Sequence, residues 1–274
     1  MAEEDLKKTE DTKEEISEIE LKKAEENTSE AKTAGEKKRE IENESWKPIT
    51  ELGKKVKDGT INDIDEILNL GTKINEPEII DYLLPEAETD LLLIGQSKGK
   101  FGGGQRRVFR QTQKKTCEGN KPKFSTCAIV GNRNGYIGMG YGKSKETVPA
   151  REKAFRNSKM NIMKIRRGCG SWECGCGAPH TIPFAIEGKC GSSKIKLFPA
   201  PKGTGLKIEK ECGKILKMAG IEDIWSKTSG STTKVNLIKS CIDAIKNLTQ
   251  TKIKSEDIKR LGIIEGRYTG EENE

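Results

Sequence analysis

The chain has 274 residues, 34% of them charged, 32% hydrophobic and only 5% aromatic, so any core is small and mostly aliphatic. Its net charge of +7 is unevenly spread: residues 95–240 carry 30 Lys/Arg against 9 Asp/Glu, net +21, and both ends are acidic. The longest aliphatic run, Leu91-Leu92-Leu93-Ile94, is too short to cross a bilayer, and the opening Met-Ala-Glu-Glu-Asp has neither the basic nor the apolar region of a secretory leader, which disfavours a membrane protein, a secreted protein and one large single-core enzyme.

Residues 1–45, rich in Glu, Lys, Ala, Thr and Ser, are expected to be an acidic disordered or transiently helical tail, because so few apolar side chains cannot offset ordering entropy. Residues 46–106 read as a helical extension followed by a basic loop. Ile61, Ile64, Ile67 and Leu68 have helical spacing up to Leu70-Gly71, Pro77 reopens a short helix that Pro85 ends, and residues 95–106 form a mobile Gly/Lys/Arg-rich loop. A sheet signature follows over 107–165. Val108–Lys115 is a candidate strand, Cys117–Pro122 a turn, Phe124–Val130 a second strand, Gly131–Gly135 a turn and Tyr136–Tyr141 a third strand. Residues 147–164 are predicted helical, with Val148, Phe155 and Ile162 on the packed face. The sequence predicts a three-stranded antiparallel sheet with one helix on it.

After a Cys-rich connector at 166–181, residues 182–250 predict a second small unit. Ile182–Cys190 and Ser193–Phe198 form a hairpin, Pro199–Gly205 a rigid loop, about 207–219 a helix, Ile221–Trp225 a strand and 234–248 an amphipathic helix. Residues 251–274 are read as a tail. The fold class is therefore α+β, with a β-β-α-β-α second domain.

Two stretches look like chemistry. Gly142-Lys143-Ser144 sits between strand and helix, but position 137 is Ile where a P-loop needs Gly, so an NTPase is rejected. The alternating Gly138, Gly140 and Gly142 instead suit a strand face approached closely by another backbone. The second stretch, Gly168–His180, holds Cys169, Cys174, Cys176 and the chain's one histidine, His180. Two readings stand: a closed tetrahedral structural zinc site, or small thiols packed in a Gly-rich connector. A catalytic zinc site lacks a spare base apart from Glu173, and disulfides have no oxidising context to support them. Cys117, Cys127, Cys190, Cys212 and Cys241 read as packing residues, and no other catalytic constellation is present, so no enzymatic activity is expected.

The basic turns carry the functional signal. Arg106, Arg107, Arg110, Lys114, Lys115, Lys121, Lys123, Arg133, Lys143 and Lys145 lie at or beside predicted turns, where backbone N–H groups and long cations are exposed together to phosphates. The alternatives to a scaffolding role are a freestanding duplex-RNA-binding module and a zinc-dependent enzyme.

The runs Lys115–Phe124 and Val130–Gly140, with Arg166-Arg167-Gly168-Cys169-Gly170-Ser171-Trp172, Pro179–Phe184, Gly188–Ser192, Pro199–Gly205 and Met218–Ile221, resemble the small-subunit ribosomal protein family numbered five. The likeness covers about residues 47–250, and the Cys-rich connector is similar to the archaeal branch; the eukaryotic branch has a similar Pro-His-Thr stretch without these cysteines. The resemblance implies a double-stranded-RNA-binding-like N-terminal domain near 107–165, followed by the C-terminal domain characteristic of the family. It implies a non-enzymatic protein of the cytoplasmic ribosome. The implied partners are small-subunit rRNA, the fourth-numbered small-subunit protein and other neighbours, and mRNA where it enters near the decoding region. It also implies a part in subunit assembly and translational accuracy. The family's RNA-contacting loop maps onto Glu118–Lys123, and Arg166, Arg167 and Lys202, within the matching motifs, join the expected RNA contacts. Residues 95–106 are extra material relative to the family, and Pro122 and Glu118 depart from a purely basic loop.

Overall fold

The computed structural model describes residues 46–99 and 104–268. The expected tail at 1–45, the centre of the Gly/Lys/Arg-rich loop and the last six residues lie outside the described residues. The chain divides into two units after Pro48, and the three described residues before that point have no regular structure. All the helices and strands described belong to the second unit, which begins at Ile49.

Three short helices open this unit: α1 (Glu51–Lys57), α2 (Ile64–Asn69) and α3 (Glu78–Leu83). Thr50 caps α1 by accepting from the Gly53 N–H at 3.1 Å, with Glu51 in the first turn and lysines in the last, as the helix dipole favours. The periodic Ile64, Ile67, Ile79 and Ile80 are buried. An unforeseen strand, β1 (Glu88–Leu92), then pairs antiparallel with the end of β3. It uses the first part of the aliphatic run as a strand.

The first sheet contains β1, β2 (Arg110–Thr116), β3 (Gly119–Gly131), β4 (Tyr136–Ser144) and β5 (Ile162–Lys164) in the order β1-β3-β4-β5. β2 pairs with the first half of β3, on the edge that β1 takes over from Cys127 onward. Before β2, Ser97 bridges Arg106, and the Lys98 N–H donates to Gln105, so the two ends of the expected loop form a short hairpin stem.

Helix α4 (Thr147–Met160) lies on β4, and here the expected packing face is wrong. Val148 is 52% exposed, and Ile162 belongs to β5. The buried stripe is Ala150, Ala154 and Ser158, set against Gly138, Gly140 and Gly142. A Cβ at Gly140 would strike the Ser158 backbone nitrogen and the Ala154 carbonyl, and one at Gly142 the Ala150 carbonyl. Backbone-to-backbone approach demands small residues on both sides, so large apolar side chains are excluded from the contact that their spacing suggested.

β6 (Arg166–Arg167) leads through the connector to a second sheet of β7 (Ile186–Cys190), β8 (Ser193–Pro199), β9 (Leu206–Lys207) and β10 (Ile224–Ser229), ordered β7-β8-β10-β9. Helices α5 (Lys210–Ala219) and α6 (Lys234–Gln250) complete it, so the expected β-β-α-β-α order holds with the short β9 added, parallel to β10. The alternation of Ile195 and Leu197 inward with Lys194 and Lys196 outward is the half-buried strand pattern. The two sheets do not keep separate cores. Leu92, Cys127, Ile129 and Ile137 of the first sheet join Ile195, Leu197, Ile215, Leu216, Ile238 and Ile245 in one apolar cluster.

The segment read as a C-terminal tail also folds. After α7 (Ser255–Leu261), β11 (Ile264–Glu265) pairs with β6, Ile264 opposite Arg167 and Glu265 opposite Arg166. The pairing gives the exposed edge of β6 a ladder partner and buries Ile263. Of the five scattered cysteines, Cys127, Cys212 and Cys241 are buried as expected, whereas Cys190 is half-buried and Cys117 is exposed.

Candidate nucleic-acid interface and metal centre

β4 meets β3 only as far as Ser144 opposite Phe124. Beyond that point β2 and β3 continue alone, from Thr112 opposite Lys123 to Thr116 opposite Gly119. The result is a two-stranded ribbon standing off the sheet, its residues almost all exposed. The predicted turn at 117–122 shrinks to Cys117-Glu118, closed by the Thr116 hydroxyl donating to the Gly119 carbonyl at 2.8 Å. Pro122 is thus a strand residue opposite Gln113, tolerated because its other edge has no ladder to supply.

Register sorts the cations. Directly paired residues share a face and alternate residues return to it. Arg110 opposite Ser125, Ser125 opposite Lys143, Thr112 opposite Lys123 and Lys114 opposite Lys121 therefore place Arg110, Lys114, Lys121, Lys123 and Lys143 on one face. Lys115 lies on the other, opposite Asn120. Lys114 facing Lys121 is unfavourable by itself, and only Glu118, paired with Lys121, offsets it within the ribbon. Such a face gains from a polyanion.

The other expected contacts are dispersed. Arg106 and Arg107 sit in the stem before β2, both exposed, with Arg106 donating to the Gly95 carbonyl at 3.3 Å; Lys145 is exposed just before α4. Arg133 lies in the β3–β4 turn, roughly 40 Å along the strand from the ribbon tip, and pairs with Glu88 at 2.7 Å. Arg166 and Arg167 are committed to the protein itself. Arg166 pairs with Glu265 and donates to the Leu248 and Thr251 carbonyls. Arg167, 5% exposed, donates to Asn134 at 2.6 Å and to the Gly266 carbonyl at 3.2 Å. Their adjacency in sequence concealed that β11 would cover them.

The connector folds around a point. Cys169, Cys174, Cys176 and His180 bring their ligand atoms within 4.8 Å of one another. The Cys169 and Cys176 sulfurs are 3.6 Å apart, and Cys174 Sγ is 3.9 Å from His180 Nε2. A tetrahedral zinc with Zn–S bonds of ~2.3 Å needs donors about 3.8 Å apart, so this donor set fits the ion. Backbone N–H groups of Lys202 and Cys176 hold the Cys174 thiol down at about 6, the thiolate form a metal requires, while burial pushes Cys169 up to about 11.

A fifth residue, missed in the sequence, completes the arrangement. His180 is buried, and its Nδ1 meets Asp223 Oδ2 at 2.9 Å, leaving Nε2 toward the sulfurs. Asp223, also buried, accepts through Oδ1 from the Gly205 N–H at 2.7 Å. A carboxylate behind a ligating imidazole fixes its tautomer and orientation. No spacing rule could reveal Asp223, because it reaches His180 from 43 residues away, from the residue just before β10.

The profile for "Ribosomal protein S5, N-terminal domain" matches residues 105–166, taking in the ribbon and α4, and that for "Ribosomal protein S5, C-terminal domain" matches residues 188–260. The small ribosomal subunit protein uS5 of Nanoarchaeum equitans is 46% identical over 224 residues, 81% of this chain and 96% of the relative. Those of Methanocaldococcus jannaschii, at 44% over 82% of this chain and 97% of the relative, and Methanococcus maripaludis, at 42% over 84% and 94%, are similar throughout. The chain belongs to the ribosomal protein S5 family. It is a non-enzymatic member, and its mixed sheets and helices are those of an α+β fold. The Cys/His connector lies between the two S5 domain matches, so neither profile spans the four donors together with Asp223. No helix among the described residues is long and apolar enough to cross a membrane.

Proposed function

We propose that this S5-family chain is a structural constituent of the small ribosomal subunit and binds small-subunit rRNA. The reading rests on one observation above others: a projecting ribbon and the end of the sheet that carries it present Arg110, Lys114, Lys121, Lys123 and Lys143 on a single face with one acidic neighbour. A ribbon without a core of its own has no folding reason to gather like charges, whereas phosphates accept from all five. Such contacts position a protein on folded RNA without reading sequence. If each cation neutralises one phosphate, binding should weaken with a log–log salt slope of about −4.

The relatives carry the name small ribosomal subunit protein uS5, which favours an assembled role over a freestanding RNA-binding module. Within the subunit we place the chain beside the decoding region and the path along which mRNA enters, against the fourth-numbered small-subunit protein, with a part in translational accuracy. The Cys169, Cys174, Cys176 and His180 centre is read as a structural zinc site. All four positions come from the protein, and closed coordination belongs to structural rather than catalytic zinc.

Sedimentation of a lysate through a sucrose gradient at moderate salt tests the assignment. The chain is expected with the small subunits, and a pool confined to the top fractions would reject it. Metal analysis of the purified full chain should return one zinc per molecule, lost in Cys174→Ser.

A further inference from the structure

Far from the ribbon, the β3–β4 turn, the last turn of α5 and the Pro199–Gly205 loop enclose a cleft of about 580 Å³. Arg133, Arg167, Lys202 and Lys217 line it, with Glu222 as the one carboxylate and Tyr268 among the lining residues. Lys202 and Lys217 are exposed, and no carboxylate among the described residues pairs with either. Arg167 lies buried there, and its Nε has no partner among the described residues. A buried guanidinium N–H without an acceptor is costly, and with Arg133 paired to Glu88 and the Arg167 amino groups bonded to Asn134 and Gly266, Lys202 and Lys217 are the lining cations left open to an anion.

The walls are fixed in place. The Arg133 N–H donates to the Met218 carbonyl at 2.9 Å and that of Gly135 to Ala219 at 3.1 Å, which holds Arg133 at a φ of +56°. Lys202 projects from a loop tied at two points: its own N–H faces the Cys174 thiol, and Gly205 donates to Asp223. The backbone that carries the cations is therefore fixed, while the exposed Lys202 and Lys217 side chains order only when a ligand arrives.

We propose that this cleft is a second phosphate-binding site, taking one phosphodiester of the bound RNA with the adjoining base against Tyr268. The proposal rests on the rRNA-binding reading above and deepens it. Guanidinium and ammonium donors suit a phosphate, and an aromatic ring offers a stacking face to any base. The ribbon and the cleft then grip the RNA at opposite ends of β3, roughly 40 Å apart, the second binding at the high effective concentration set by the first.

The test titrates the full chain with transcribed small-subunit rRNA over a range of salt. Lys202→Gln/Lys217→Gln should weaken binding about tenfold and reduce the salt slope by about one, the value for one lost phosphate contact. Glu222→Gln should tighten binding severalfold at low salt. Lys114→Gln/Lys121→Gln serves as the ribbon control. If that control weakens binding while the cleft double variant matches the unaltered chain in affinity and slope, the cleft proposal fails and the ribbon reading survives. If the unaltered chain ignores the RNA, both fail. Should the double variant misfold, Glu222→Gln alone decides, and unchanged affinity overturns the proposal. Inorganic phosphate titrated into the labelled chain separates the sources: shifts at Lys202 and Lys217 with no effect of the double variant on RNA affinity would make free phosphate the ligand and overturn the RNA assignment.

Discussion

The ribbon at Thr112–Lys123 and the connector at Gly168–His180 are both short, polar and poor in large apolar residues, yet they are ordered by opposite means. In the ribbon the backbone does the ordering: five residue pairs, from Thr112–Lys123 to Thr116–Gly119, hold the strands while the side chains stay exposed and available. In the connector, regular ladder bonds are scarce, with one isolated bridge between Gly168 and Thr181, and side chains converge instead. The contrast shows where charge can be left free. A ladder tolerates like charges facing one another across its face, because its order does not depend on them. Beside a segment organised by its side chains, Arg166 and Arg167 are turned inward to acceptors of the protein.

The largest effect expected from a single substitution lies in neither region but in the sheet that carries the ribbon. Gly140→Ala places a Cβ against the backbone of α4, and should cost about 3 kcal/mol or prevent folding. Thermal denaturation that leaves this variant unchanged would mean the helix does not meet the strand backbone to backbone. In the connector, Cys174→Ser removes a donor, and Asp223→Asn should lower zinc affinity by roughly 10- to 100-fold through the imidazole it orients. Competition with a chromogenic chelator reads both; an Asp223→Asn chain that holds zinc as tightly as the unaltered one would sever the carboxylate from the metal centre. The smallest effect belongs to the ribbon. Lys121→Gln should leave unfolding within about 0.5 kcal/mol of the unaltered chain and reduce the salt slope of rRNA binding by about one. A large loss of stability there would erase the distinction between an ordered backbone and free side chains.

Much of this was legible in residue order. The alternation of Ile195 and Leu197 with lysines marked β8, the period of Val235, Ile238, Ile242 and Ile245 marked α6, and Gly138-x-Gly140-x-Gly142 announced a backbone approach before the helix opposite was known. The four candidate metal donors fall within twelve residues, close enough for spacing to suggest them. Asp223, the partition of Lys115 from Lys114, the burial of Arg167 and the cleft around Lys202 and Lys217 each depend on segments far apart in the chain.

From residue order alone came the family, the α+β class, the basic middle and the candidate donor set, because periodicity, charge and short-range spacing are local properties of a chain. Tertiary structure decided which cations share a face, which are consumed inside, that the two sheets share one core, and which carboxylate stands behind His180. Those outcomes depend on strand register and long-range pairing, and a shift of one residue in register would send every ribbon cation to the opposite side.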